Sequence, residues 1–131
     1  MVSDTIGDLI IQLKNAGRVG KTQVVMPYSK LRHAVAQKLS EVGYVDQVAE
    51  QGKKVPHKSL AVTLKYVAGA PRITDVKRIS KPGRRLYTKV ANIHQVKFGK
   101  GHMLLSTPLG ILTNVEAKAK GVGGEQLFII W

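Results

Sequence analysis

The spacing of the apolar residues changes along this chain, and that change constrains the fold more than any other feature of the sequence. Ile6, Leu9, Ile10 and Leu13 recur three and four apart, as do Leu31, Ala34, Val35, Leu39 and Val42, so each set fits one face of a helix. Between Ser59 and Tyr66 the spacing drops to two. Leu60, Val62, Leu64 and Tyr66 fall on one side of a strand and Ala61, Thr63 and Lys65 on the other. A chain carrying both periods must bury helices against a sheet. Its 131 residues suffice for one core or two small lobes, and 44% hydrophobic residues against 22% charged exclude disorder over most of the length.

The breakers divide this pattern into elements. Ser3 is placed to cap the first helix and Gly17 to stop it; Thr22–Met26 reads as a strand ended by Pro27; Ser29 caps the second helix and Gly43 stops it. Tyr44–Glu50 and Ser59–Tyr66 pair as an antiparallel hairpin. The small, breaker-rich stretch Val67-Ala68-Gly69-Ala70-Pro71 marks a boundary between lobes 1–68 and 69–131. In the second lobe, Ile73–Ile79 and Arg84–Thr88 are expected to form a hairpin about Lys81-Pro82-Gly83, with Gly83 supplying a positive φ. A glycine loop at Phe98–Gly101 leads to the apolar run Met103–Leu105, a turn over 106–110 and the strand Ile111-Leu112. Thr113 with Glu116 makes a capping box for a short helix ending at Gly121, and Gln126–Trp131 is the last strand. The expected class is α+β: two tightly packed small lobes, with N-terminal helices on a small antiparallel-containing sheet and a C-terminal, mainly β lobe with one short helix.

Charge points to the partner. Lys and Arg number 21 against 8 Asp and Glu, a net charge of +13, and nine of these cations lie between Arg72 and Lys100 against a single acid, Asp75. The sequence pI of about 10.2 exceeds the ~9 that flags nucleic-acid-binding domains. The chain has no cysteine, which removes disulfides, thiolate metal sites and cysteine nucleophiles together. His33, His57, His94 and His102 show no metal-ligand spacing, no Gly-x-Ser-x-Gly elbow occurs, and Gly99-Lys100-Gly101 lacks the ending of a phosphate-binding loop. No active site, metal, cofactor or small-molecule substrate is expected. Seven aromatic residues without an arginine-interleaved cluster favour structured RNA over a single-strand stacking platform. With no leader pattern and no apolar run of about 18 residues, a soluble cytoplasmic protein without a membrane partner is expected. An organelle-encoded origin would leave the same pattern.

Several segments, in order, resemble the S-eight family of small-subunit ribosomal proteins, bacterial type. They are Asp4-Thr5-Ile6-Gly7-Asp8-Leu9 with Asn15, Pro27-Tyr28-Ser29-Lys30-Leu31, Ser80-Lys81-Pro82-Gly83 with Tyr87, Ser106-Thr107 with Gly110, Thr113, and Gly121-Val122-Gly123-Gly124-Glu125. The resemblance implies a non-enzymatic structural constituent of the small subunit that binds the central domain of 16S-type rRNA and supports assembly. It also implies docking by neighbouring small-subunit proteins and, as in many bacteria, translational repression through the protein's own operon mRNA. Carried over by position, RNA contacts fall on Ser106, Thr107, Tyr87, Gly124 and Glu125, with Lys30 and Thr5 contributing from the N-terminal part. Lys81, Arg84 and Arg85 belong to the cationic stretch that would neutralise phosphates.

Each residue type suits such a task. Hydroxyls and backbone N–H groups of a tight turn can enter the shallow minor groove of A-form RNA, and glycines let the backbone come close. Glu125 would repel phosphate, so it fits as an acceptor from a base or ribose or as an orienter of its neighbours. Plainer readings stand beside these: Ser106 and Thr107 as a turn bonding its own backbone, and Tyr87 as a packed strand aromatic. The loop Ser106-Thr107-Pro108-Leu109-Gly110 departs from the family's Ser-Thr-Ser-Lys-Gly, which removes a hydroxyl, an N–H and a cation. A DNA-associated or acidic-protein-binding module is the reading from another class, and it predicts no preference for folded RNA over duplex DNA.

Overall fold

The computed structural model describes residues 4–52 and 58–131. The chain divides into two compact units: Asp8–Thr74 forms one, and the segment ending at Gly7 joins Asp75–Trp131 in the other.

In the first unit, helix α1 (Thr5–Arg18) buries the expected stripe of Leu9, Ile10 and Leu13 together with Ala16. The capping role expected of Ser3 lies outside the described residues. Gly17 does not stop the helix. It is helical, and its missing Cβ leaves room for Pro71, whose side chain would lie 3.1 Å from that atom. The stop is Gly20, at φ +78°, with Gly20 N–H donating to Gly17 C=O and Lys21 N–H to Ala16 C=O, the two bonds of a left-handed helix terminus.

Strand β1 (Gln23–Pro27) follows, then α2 (Lys30–Glu41), capped by the Ser29 hydroxyl, which accepts from Arg32 N–H at 3.0 Å. The buried face of α2 is Val35, Ala36 and Leu39, rotated from the expected one, and Leu31 is exposed. Arg32 takes the inner position instead, donating to Pro27 C=O and pairing with Asp8. Gly43 at φ +87° ends α2 as expected.

Strands β2 (Val45–Gln51) and β3 (Ser59–Leu64) pair antiparallel, and β1 adds to the other edge of β3, giving the order β1-β3-β2. Because β3 is central, Ala61 is buried along with Leu60 and Val62, and the simple alternation fails there. The breaker-rich stretch is a tight ribbon of β4 (Tyr66–Val67) and β5 (Ala70–Pro71), turned by Ala68 and Gly69 at positive φ.

The second unit is organised around its last strand. Strands β6 (Val76–Arg78), β7 (Tyr87–Thr88), β8 (His102–Thr107), β9 (Gly110–Thr113) and β10 (Gly124–Ile130) form one antiparallel sheet. The expected 73–79/84–88 hairpin does not form. Both segments lie along one edge of β10, β6 against residues 128–130 and β7 against 124–125, and residues 81–85 loop out between them. Gly83 is not at positive φ. β8 occupies the other edge of β10, with β9 beyond it. Helix α3 (Asn114–Lys120) carries the expected Thr113–Glu116 capping box and ends at Gly121, φ +70°. Its buried first residue, Asn114, accepts from Met103 N–H and donates to His94 C=O, tying the helix start to strand β8 and to the loop that holds His94. The architecture is mixed α+β, with N-terminal helices and a β-rich C-terminal part holding one short helix.

Candidate nucleic-acid interface

Strand β10 brings three of the sequence-identified residues into a row. Glu125 lies opposite Tyr87 on β7 and opposite Ser106 on β8, and directly opposed side chains emerge on the same face of a sheet about 5 Å apart. Tyr87 is 71% exposed. The plainer reading of a packed aromatic therefore does not apply to it; its ring faces solvent.

Glu125 is largely covered, with 13% of its side chain exposed, and its carboxylate lies 3.3 Å from the Arg85 guanidinium, which is 56% exposed. The acid thus neutralises itself against a cation and fixes that cation's position at the edge of the row. Among the described residues the Ser106 hydroxyl has no hydrogen-bond partner. Thr107 differs: its hydroxyl donates to Gly110 C=O at 2.7 Å and accepts from Leu109 N–H at 3.2 Å. Its proton is committed to its own turn, so toward a ligand it can only accept. Both residues end strand β8 rather than lying in the turn, which consists of Pro108 and the exposed Leu109.

The glycines serve the protein's own chain. A Cβ on Gly124 would strike the Ser106 carbonyl, and one on Gly123 the Thr88 carbonyl. Their absence of side chains is what lets β7, β10 and β8 close into the row.

Lys81, Arg84 and Arg85 are exposed on the 81–85 loop. Two backbone bonds of 2.9 Å between Lys81 and Arg84 close it. At its base the buried Ser80 hydroxyl accepts from Leu86 N–H at 3.0 Å and donates to Leu86 C=O at 3.2 Å. Ser80 is a positioning residue beyond the sequence-identified site, and a serine directly before a Lys-Pro-Gly turn is its signal in the sequence.

Thr5 opens α1 and is half-buried. Beside it, Asp4 accepts from Gly7 N–H at 3.1 Å and forms an ion pair with Arg78. Hydrogen bonding from Arg78 is the main cause holding the Asp4 carboxyl below its usual range, against the opposing effect of burial. Arg78 in turn donates from Nε to Ser80 C=O at 2.7 Å, so it links Asp4 to the base of the cationic loop. Lys30 opens α2 and is exposed; it belongs to the Asp8–Thr74 unit and not to the sheet that carries the row. Among the described residues no three His, Asp or Glu side chains gather as metal ligands, and no helix is long and apolar enough to cross a membrane.

Comparison with known proteins matches residues 4–131 to the family model described as Ribosomal protein S8. The chain is 43% identical over 126 residues to a protein of Hyphomonas neptunium named small ribosomal subunit protein uS8, covering 96% of this chain and 95% of that one. It is 44% identical, with the same coverage, to the protein of that name from Bordetella avium. A Chloroflexus aggregans protein of the same name is 43% identical over 133 residues, 99% of this chain and 98% of the relative.

Proposed function

The chain belongs to the ribosomal protein S8 family, whose members are structural and not enzymes, and from that premise we propose that it is a primary rRNA-binding protein of the small subunit. It holds a helical element of the central domain of 16S-type rRNA and supports assembly of the subunit. The observation that supports this reading is the Tyr87–Glu125–Ser106 row with the exposed cations of the 81–85 loop beside it.

The division of labour follows from the chemistry. Lys81, Arg84 and Arg85 neutralise phosphates and set register, while Glu125 keeps Arg85 from swinging into the row. The Ser106 hydroxyl, unpartnered among the described residues, can both donate to and accept from a base edge or a 2′-hydroxyl; Thr107 can accept. Tyr87 offers a ring to stack and a hydroxyl to bond. Thr5 and Lys30 add contacts from the helix starts.

The test is a titration against a fragment of the cognate central domain, an equally long mismatched hairpin and duplex DNA, each at two salt concentrations. Preference for the cognate fragment that is weakened by Ser106→Ala at both salts is the expected result. Equal, steeply salt-dependent binding to all three would mean that only the net charge of +13 had been seen. Translational repression through the operon mRNA uses the same surface, so a leader fragment should compete with the rRNA fragment for one site.

A further inference from the structure

One face of the C-terminal sheet is only partly roofed. Leu105 on that face is buried in a cluster with Ile93, Leu112 and Ala117. Further along the strands the register places Lys77, Ile129 and Met103 in a second cross-strand row, and there the cover stops. A groove of about 400 Å³ opens, with Met103, Ile129 and Trp131, each half-buried, among its apolar lining. Lys77 lines one side. On another is Lys97, its ammonium 4.3 Å from the centre of the Trp131 ring. Exposed Asn92, His94 and Gln95, with half-buried Thr88 and Gln126, supply the other polar groups, and no Asp or Glu is among the lining residues.

The turn at the groove's rim is strained. Lys97 and Phe98 both sit at positive φ, +49° and +56°, a conformation that bulky residues avoid. The turn is held by the Val96–Gly101 bridge and leaves Phe98 fully exposed.

An apolar floor calls for a flat or aliphatic surface, paired amides for a hydrogen-bonding edge, and two lysines with no Asp or Glu beside them for negative charge. An apolar peptide would leave the lysines unmatched, and an inorganic anion would leave the floor unused. A nucleotide meets all three demands, its base on the floor and its phosphate at the lysines. We infer that this groove, on the face of the sheet opposite the Tyr87–Glu125–Ser106 row, is a pocket for a single unpaired nucleotide of RNA, with Phe98 offering a stacking face to the next one. The inference rests on the proposed RNA-binding function and adds to it a second contact on residues outside the Tyr87–Glu125–Ser106 row.

Trp131 is the single tryptophan of the chain, so its fluorescence reports on the groove. The full chain is titrated with adenosine and uridine 5′-monophosphates and with inorganic phosphate. A saturable change with the nucleotides and none with phosphate at equal concentration is expected. Lys77→Gln, an exposed position, should raise the midpoint about three- to fivefold, the effect of one solvent-exposed charge pair; Ser106→Ala should leave it unmoved. No response to nucleotide, an equal response to phosphate, or indifference to Lys77→Gln would overturn the inference. The two readings fail separately. Selective binding of the rRNA fragment with a silent Trp131 removes the groove and leaves the function standing, whereas a nucleotide response without rRNA preference supports the groove and removes the function.

Discussion

Replacing Gly124 with alanine adds one methyl group where the fold has no space for it. The new Cβ would collide with the Ser106 carbonyl oxygen, with the carbonyl carbon at 2.9 Å and Thr107 Cα at 3.1 Å. These are backbone atoms of the paired strand β8, so no side-chain rotation relieves the clash and the strands must part. Overpacking of this kind costs about 1–3 kcal/mol. At roughly 3–5 °C per kcal/mol for a chain of this length, a loss of about 2 kcal/mol lowers Tm by about 6–10 °C. Gly83→Ala is the matched control. No atom lies within 4 Å of the added Cβ, and Gly83 is not at positive φ, so alanine should leave stability unchanged or raise it by up to about 1 kcal/mol through the unfolded chain. Thermal unfolding followed by circular dichroism reads both. The same displacement of Ser106 should weaken binding of the cognate RNA fragment by Gly124→Ala and not by Gly83→Ala. A Gly124→Ala protein melting within about 1 °C of the original would refute the packing argument.

Tyr87→Ala should leave Tm unchanged, since the ring is largely exposed, yet weaken RNA binding about tenfold if the ring stacks on a base; equal affinity would remove Tyr87 from the interface. Asn114→Ala should cost about 2 kcal/mol in urea unfolding, because it strips the Met103 N–H and the His94 C=O of their partner at a buried position. Asp4→Asn addresses the acid limb. Arg78 depresses the folded carboxyl's pKa, so the pair stabilises the protein above the unfolded pKa and that contribution fades as pH falls through the folded one. The Tm difference between Asp4→Asn and the original should therefore be present at neutral pH and shrink below about pH 4. A difference constant across that range would mean that the ion pair contributes nothing.

Local chemistry was legible wherever the determinants were close in sequence. Ser29, Gly43, the Thr113–Glu116 box and Gly121 act within a few residues of themselves, and each lies where its type predicts. What the pattern could not carry was pairing at a distance. Two short strands on either side of Lys81-Pro82-Gly83 read as each other's partners, because nothing nearby shows that β10, roughly forty to fifty residues on, offers one long edge to both. The same blindness affected the glycines. By type, Gly17 predicts a helix stop and Gly124 a close approach to RNA, yet both are contact points for a distant part of the chain, Pro71 and Ser106. Of the candidate site, cationic character was visible in composition, and the residue identities came with the family resemblance. The row that joins Tyr87, Glu125 and Ser106 needed the register of three strands.

The position of β10 at the centre of its sheet has a consequence for the order of events during synthesis. Of the strands described it is the last to leave the exit tunnel, yet β6, β7 and β8 all pair with it. The β1-β3-β2 sheet can assemble while the chain is still growing, as N-terminal units generally do. The other unit must wait, and so must Asp4, made 74 residues before its partner Arg78, which has no strand to lean on until residues 128–130 emerge. A nascent chain stalled before that point has its cations but not the aligned Tyr87, Glu125 and Ser106, so the surface proposed for RNA forms only once β10 has emerged.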